Sequence, residues 1–97
     1  VVRERNVRLC GGEIDIVAED GPVLVFVEVK TRRDHRLGGP LESVDPRKQQ
    51  KLLSLARAYL YVRGLGDVPC RFDVVGITWP WAGESPVIEH VRDAFGA

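Results

Sequence analysis

The chain contains 97 residues, of which 44% are hydrophobic, and its 14 basic and 14 acidic residues give a net charge of zero. This length suits a single small domain over residues 1–97, and the neutral balance argues against a strongly basic nucleic-acid binder. No apolar run approaches the roughly 18 to 20 residues of a membrane span. Cys10 and Cys70 have no second cysteine or histidine at ligand spacing, which disfavours zinc and favours the reduced cytoplasm.

The hydrophobic pattern predicts an α/β fold in the order strand, strand, strand, helix, strand, followed by a short final strand or turn. Residues 2–9 form the first predicted strand, and Gly11-Gly12 separates it from the second. Positions 13–18 alternate in polarity and positions 23–29 are rich in β-branched and aromatic residues. Both segments therefore read as strands.

The turn between these two strands decides which side chains share a face. If Asp20-Gly21 forms a two-residue loop, paired residue numbers sum to 41, which sets Asp15 opposite Phe26. Strand side chains alternate between faces, so one face would carry Glu13, Asp15, Phe26, Glu28 and Lys30. A three-residue loop would reverse the parity and scatter the carboxylates over both faces.

Two carboxylates and an ammonium on neighbouring strands suit metal-assisted phosphodiester cleavage. Asp15 and Glu28 can hold Mg²⁺ or Mn²⁺ through oxygen, and Lys30 can orient the nucleophile or neutralise developing charge. The spacing alone also allows a structural interpretation, in which Glu13 and Asp15 form a solvated hairpin face and Lys30 pairs with Glu28. Both interpretations follow from the same residues.

The helix is the most clearly delimited element. Asp45 is a good N-cap, Pro46 suits the first helical position, and Gly64 ends a helix of about 18 residues. Its buried stripe is predicted to contain Leu52, Leu55, Ala56, Tyr59 and Leu60. Lys48 lies on the same stripe, so its side chain should lean toward the sheet, unless it extends to solvent.

A basic segment adjoins the acidic hairpin. From Lys30 to Lys51 there are seven basic and three acidic residues. This segment includes a predicted polar loop over residues 33–44, which contains His35. Arginine and lysine beside an acidic pocket suit the phosphate backbone of a nucleic acid, although such runs are often only solvated faces. The candidate phosphate contacts are Arg32, Arg33, Arg36, Arg47, Lys48 and Lys51.

The segment from Arg71 to Thr78 reads as a buried strand, parallel to a neighbour in a mixed sheet because a helix precedes it. Asp73 is interpreted either as a site residue or as a structural acid bonded to Arg71 or a backbone amide. The following Trp79-Pro80-Trp81 suggests loop packing, a dimer contact or a base-stacking platform. His90 lacks a partner at ligand spacing and is assigned to the surface, as is the histidine of the polar loop.

Two motifs carry a resemblance to a known family. Gly12-Glu13-Ile14-Asp15-Ile16 and Val27-Glu28-Val29-Lys30-Thr31, with Arg71-Phe72-Asp73-Val74 and Asp93-Ala94-Phe95 further on, resemble the YraN family of uncharacterised bacterial proteins. That family belongs to the PD-(D/E)xK, or restriction-endonuclease-like, superfamily and is similar in fold to Holliday junction resolvases. Members usually begin with a helix that is missing from this chain, which opens at Val1-Val2.

The resemblance implies a role for each matching residue. Asp15 and Glu28 match metal ligands, the Val29 carbonyl is a third candidate ligand, and Lys30 matches the catalytic lysine. Lys48 is assigned to the catalytic set because superfamily members often place a polar residue of this helix beside the site. Glu13 and Gln49 are additional candidates.

Together these features predict a metal-dependent endonuclease that acts on DNA rather than RNA, with branched DNA among the candidate substrates. The alternative is a catalytically inactive nucleic-acid-binding module with the same fold, and a protein-interaction domain is a third option. A homodimer is compatible with each of these.

Overall fold

The structure is a computed structural model that describes residues 1–33, 44–79 and 85–96. It contains one five-stranded mixed sheet and one helix: β1 (Val2–Leu9), β2 (Gly12–Asp20), β3 (Val23–Arg32), α1 (Pro46–Arg63), β4 (Cys70–Thr78) and β5 (Val87–Phe95). The strands lie in chain order, with β3 and β4 parallel and every other neighbouring pair antiparallel. The α/β class and the parallel crossover are confirmed. The prediction of a short final strand was wrong, because β5 has nine residues.

The predicted hairpin register was wrong by two residues. Asp20 pairs with Val23 and Ile16 pairs with Val27, so paired numbers sum to 43 and the loop is Gly21-Pro22. Gly21 supplies the positive φ of 59° that a tight hairpin turn requires at its first loop position. The loop still has two residues, so the parity that assigns side chains to faces is unchanged over the paired residues next to the turn.

The helix has the predicted ends. The Asp45 side chain accepts a hydrogen bond from the Lys48 amide at 2.9 Å, and Pro46 occupies the first turn. Gly64 adopts the left-handed conformation, and its amide caps the carbonyls of the last turn. All predicted stripe residues are buried except Leu60, which is partly buried against the core, and Leu53 is buried in addition. No helix in these described ranges is long and apolar enough to cross a membrane.

The core lies between α1 and one face of the sheet. Phe26 packs edge-on against Tyr59 of the helix, with ring centroids 5.7 Å apart, and stacks on Phe72 at 5.5 Å. Each such fully buried aromatic side chain stabilises the fold by about 1.5–3 kcal/mol. Glu28 follows Phe26 by two residues on β3, so the aromatic core places the Glu28 side chain on the face that α1 covers.

Two contacts hold α1 over the first hairpin. At Gly12 a Cβ would lie 3.1 Å from Lys51 Cε and 3.2 Å from Leu55 Cδ1, so β2 begins directly beneath the helix. Glu4 on β1 accepts hydrogen bonds from the Arg63 guanidinium at 2.7 and 2.9 Å and from the Tyr59 hydroxyl. These contacts set the distance between β2, which carries Asp15, and α1, which carries Lys48.

Candidate active site

The regular alternation of β2 side chains between the two faces of the sheet is interrupted at Asp15. Ile14 and Val17 are 1% and 0% exposed in the same core, although residues three apart on a regular strand face opposite sides. On β1, the pairs on either side place Asn6 opposite Asp15, and Asn6 has a φ of 50°. Local irregularities of this kind re-aim side chains, and asparagine tolerates the left-handed region better than most residues.

The irregularity brings Asp15 to the backbone of β3. The Val29 amide donates a 2.8 Å hydrogen bond to Asp15 Oδ2, just beyond the last regular pair, Ile16 with Val27. The amide and carbonyl of one strand residue point to the same neighbouring strand, so the Val29 carbonyl also faces β2. One carboxylate and one carbonyl thus lie side by side at this position.

Glu28 is less exposed than either lysine of the site. Its side chain is 13% exposed, and its Oε2 lies 3.4 Å from Lys30 Nζ and 3.7 Å from Lys48 Nζ. Burial raises the pKa of Glu28, the adjacent Asp15 carboxyl raises it further, and the two lysines only partly oppose this. Glu28 therefore carries a negative charge that the protein compensates incompletely.

Two lysines from different elements meet at Glu28. Lys30 comes from β3 and Lys48 from the first turn of α1, as the helix stripe predicts. The interaction with Lys48, with Glu28 assisting, raises the pKa of Lys30 despite burial. The neighbouring Lys30 and burial lower the pKa of Lys48. The two amines both contact Glu28, so they repel each other when both are charged.

The other candidates lie around this cluster rather than in it. The prediction that Glu13 shares a face with Asp15 and Glu28 was wrong: its neighbour Ile14 faces the core, so Glu13 is exposed and forms an ion pair with Arg8 at 3.6 Å. The Gln49 side-chain amide donates to the Val44 carbonyl at 3.1 Å. Arg47 and Lys51 are exposed on α1. Arg33 is exposed and Arg32 partly buried where β3 ends. Arg36, His35 and Trp81 lie outside the described residues.

The oxygens at this site suit a hard divalent cation. Asp15 and Glu28 supply carboxylates and Val29 supplies a carbonyl, the ligand types that Mg²⁺ and Mn²⁺ prefer. No cluster of three or more acidic, histidine or cysteine side chains occurs within the three described ranges. A metal ion here would thus be held by two carboxylates and the backbone, and the incomplete compensation of Glu28 fits such a ligand.

The contacts of Asp73 are those of a structural acid. Its buried carboxylate accepts hydrogen bonds from Arg71 at 3.0 and 3.1 Å and from the Asp93 amide at 3.0 Å, and His90 Nε2 lies 2.8 Å away. Burial alone would raise its pKa, but these partners lower it. His90 is exposed, as predicted, but its contact with Asp73 was missed, because no sequence spacing signals a contact across β4 and β5.

Fold and site together describe a small α/β protein with one cluster of acids and lysines between its sheet and its helix. The family model described as uncharacterised protein family UPF0102 matches residues 1–77. A UPF0102 protein of Xanthomonas euvesicatoria is 51% identical over 98 residues, which cover 100% of this chain and 75% of the relative. A UPF0102 protein of Geobacter sulfurreducens is 50% identical over 92 residues, which cover 95% of this chain and 71% of the relative.

The chain therefore belongs to the UPF0102 family, and the resemblance to YraN proteins is confirmed.

Proposed function

We propose that this protein is a metal-dependent endonuclease that hydrolyses phosphodiester bonds in DNA. The observation that carries the proposal is the convergence of Asp15, Glu28, Lys30 and Lys48 at one point between β2, β3 and α1. Two carboxylates beside two amines, with the pKa of Glu28 raised by burial and by Asp15, form an arrangement that costs stability. Perturbed groups of this kind concentrate at functional sites.

In this proposal, Mg²⁺ or Mn²⁺ would be held by Asp15, Glu28 and the Val29 carbonyl. The ion, when bound, polarises a phosphate and lowers the pKa of water. Lys30 projects from the same strand as Glu28 and neutralises negative charge that develops on the phosphate oxygens. Lys48 reaches the same carboxylate from the helix, so it holds Glu28 in place and adds a second positive charge toward the substrate.

The surrounding charge supports a nucleic-acid substrate. Arg33 and Arg47 are exposed near the ends of the elements that carry Lys30 and Lys48. Arginine binds phosphate oxygens through paired N–H groups, which favours backbone contacts over sequence readout. The proposal includes a restriction-endonuclease-like core, a cytoplasmic location, branched DNA as a candidate substrate and a homodimer as a candidate assembly.

A cleavage assay with matched variants tests this function. Purified protein is incubated with branched, duplex and single-stranded DNA in Mg²⁺ or Mn²⁺, beside Lys30→Ala and Glu28→Gln. We expect both substitutions to abolish cleavage. Glu19→Gln is the matched control, because Glu19 is an exposed glutamate of the same hairpin and should leave cleavage unchanged.

Three results would contradict the proposal. Equal cleavage by wild type and Lys30→Ala would trace the activity to a contaminating nuclease. Salt-dependent DNA binding without cleavage of any substrate, unaffected by Glu28→Gln, would favour the catalytically inactive binding module instead. Absence of both cleavage and binding would leave a protein-interaction domain.

A further inference from the structure

An open cleft lies where β3 and β4 end, next to the candidate active site. It has a volume of about 410 Å³ and is lined by Thr31, Arg32, Arg33 and Trp79. This volume falls within the range of roughly 300–1,000 Å³ typical of small-ligand sites. The cleft combines a large aromatic surface with two guanidinium groups, and the acid and lysine cluster uses none of these side chains.

The position of Trp79 is set by the backbone. Its amide donates a 2.7 Å hydrogen bond to the Arg32 carbonyl, which ties the chain leaving β4 to the end of β3. The tryptophan is nevertheless 51% exposed, an unusual cost for so large an apolar side chain. A fixed backbone that presents an exposed indole beside arginine suits recognition of a flat, aromatic and negatively charged ligand.

The cleft lies within reach of the cleaved bond in the proposed reaction. Arg32 and Arg33 follow Lys30 by two and three residues on an extended strand, a distance of roughly 7–10 Å at about 3.3 Å per residue. Stacked nucleotides rise by about 3.4 Å each along one strand. The distance from Lys30 to the cleft is therefore about the length of two or three stacked nucleotides.

Resting on the proposed nuclease function, we propose that this cleft binds an unpaired nucleotide of the substrate, with its base stacked on Trp79 and its phosphate against Arg33. Bases inside a duplex are covered on both faces by their neighbours, so only an unpaired or splayed base can lie on the indole. The preferred substrate class is then DNA with a single-stranded segment beside the cleaved strand, as in overhangs, flaps and open junctions.

The fluorescence of Trp79 reports this contact directly. Trp81→Phe leaves Trp79 as the sole tryptophan of the chain, and Lys30→Ala in the same protein prevents cleavage during titration. We expect DNA with an overhang to quench the fluorescence and to bind roughly tenfold more tightly than the same duplex with blunt ends, the size of effect that one stacked base produces.

Substitutions at the cleft separate stacking from general affinity. Trp79→Leu should abolish the preference for overhangs over blunt duplex, whereas Trp79→Phe should retain most of that preference. Arg33→Ala should weaken binding of the overhang and reduce its salt dependence. Tyr61→Leu is the matched control, because Tyr61 is an 88% exposed aromatic residue of α1 away from the cleft.

Several outcomes would overturn the inference. Equal quenching by blunt and overhanging DNA, or an overhang preference that survives Trp79→Leu, would show that the indole does not bind a base. A change of fluorescence with protein concentration alone would indicate a contact with a second copy instead. Cleavage of blunt and overhanging DNA at equal rates would refute the cleft and retain the nuclease, whereas absence of cleavage and binding would refute both.

Discussion

Two buried carboxylates on opposite faces of the same sheet have contrasting surroundings. Asp73, on the face away from the helix, has four contacts at 2.8–3.1 Å with three protein partners, and its pKa is lowered. Glu28, on the face beneath α1, has its two lysines at 3.4 and 3.7 Å beside a second carboxylate, and its pKa is raised. Both carboxylates lie in the centre of the fold, on the adjacent parallel strands β3 and β4.

The difference separates a structural acid from a candidate ligand. A buried charge stabilises a fold only when close hydrogen bonds replace the water it has lost, and Asp73 meets that condition. It also holds Asp93, whose φ is 51°, at the irregular pairing between β4 and β5. Glu28 lacks such compensation, so selection for stability alone does not explain its surroundings. A bound cation would supply the missing positive charge.

The largest expected effect is on the structural acid. Asp73→Ala leaves Arg71 without its bidentate partner and the Asp93 amide without its acceptor, so we expect the free energy of unfolding to fall by about 3 kcal/mol. Urea denaturation followed by circular dichroism measures this. Asp20→Ala, which removes only the exposed partner of Arg71, should change the midpoint little. An equal loss of stability in Asp73→Ala and Asp20→Ala would contradict the structural role of Asp73.

The second prediction concerns Glu28 itself. Glu28→Gln should lower cleavage by roughly 100-fold or more, the cost of removing one preorganised electrostatic group, while stability without metal stays equal or rises. Stability is expected to rise because the substitution removes repulsion from Asp15. Saturating Mg²⁺ should stabilise wild type, by about 2.7 kcal/mol at 100 times its dissociation constant, and should stabilise the variant less. A large loss of stability in the metal-free variant would make Glu28 a structural residue.

The pH dependence of stability should have opposite signs at the two carboxylates. The lowered pKa of Asp73 contributes stability above its unfolded value of about 3.9, and this contribution is lost as pH falls. The raised pKa of Glu28 favours the folded state below about 4.3, and this contribution is lost as pH rises through the folded pKa.

Unfolding midpoints from about pH 3 to 7 in a chelator test these signs. The stability gap between wild type and Asp73→Asn should shrink toward acid pH. The stability of Glu28→Gln relative to wild type should increase as pH rises. Parallel curves for the two variants would contradict the assigned pKa directions.

The smallest effect is expected at Glu4, a well-bonded carboxylate at the surface. Arg63, with help from the Tyr59 hydroxyl, lowers the pKa of Glu4 to about 2. Its contribution to stability is therefore present above about 4.3 and lost as pH falls toward 2. Glu4→Gln should reduce only this loss of stability between about pH 4.3 and 2, and added salt should make the difference from wild type smaller. If the stability of Glu4→Gln falls at acid pH as much as that of wild type, the contact of Glu4 with Arg63 and Tyr59 contributes nothing.

Local signals in the chain predicted the elements and their ends. Asp45 and Pro46 begin the helix, Gly64 ends it, and the hairpin loop has two residues because these features depend on neighbours in sequence. The register was missed because Asp20-Gly21 and Gly21-Pro22 both fit a two-residue turn. The two candidate loops have equal parity, so Glu28 faces the core in either case.

The sequence by itself determined which residues are available: the acidic hairpin, the lysine two residues after Glu28, the capped helix with Lys48 in its first turn, and the family. Tertiary structure alone decided the geometry of the site. Asp15 reaches the Val29 amide where the alternation of β2 is interrupted opposite Asn6, and Lys48 meets Glu28 because packing of α1 on the sheet brings the two side chains together. The reason is that caps and alternation depend on local backbone geometry, whereas convergence of charges depends on packing between distant segments.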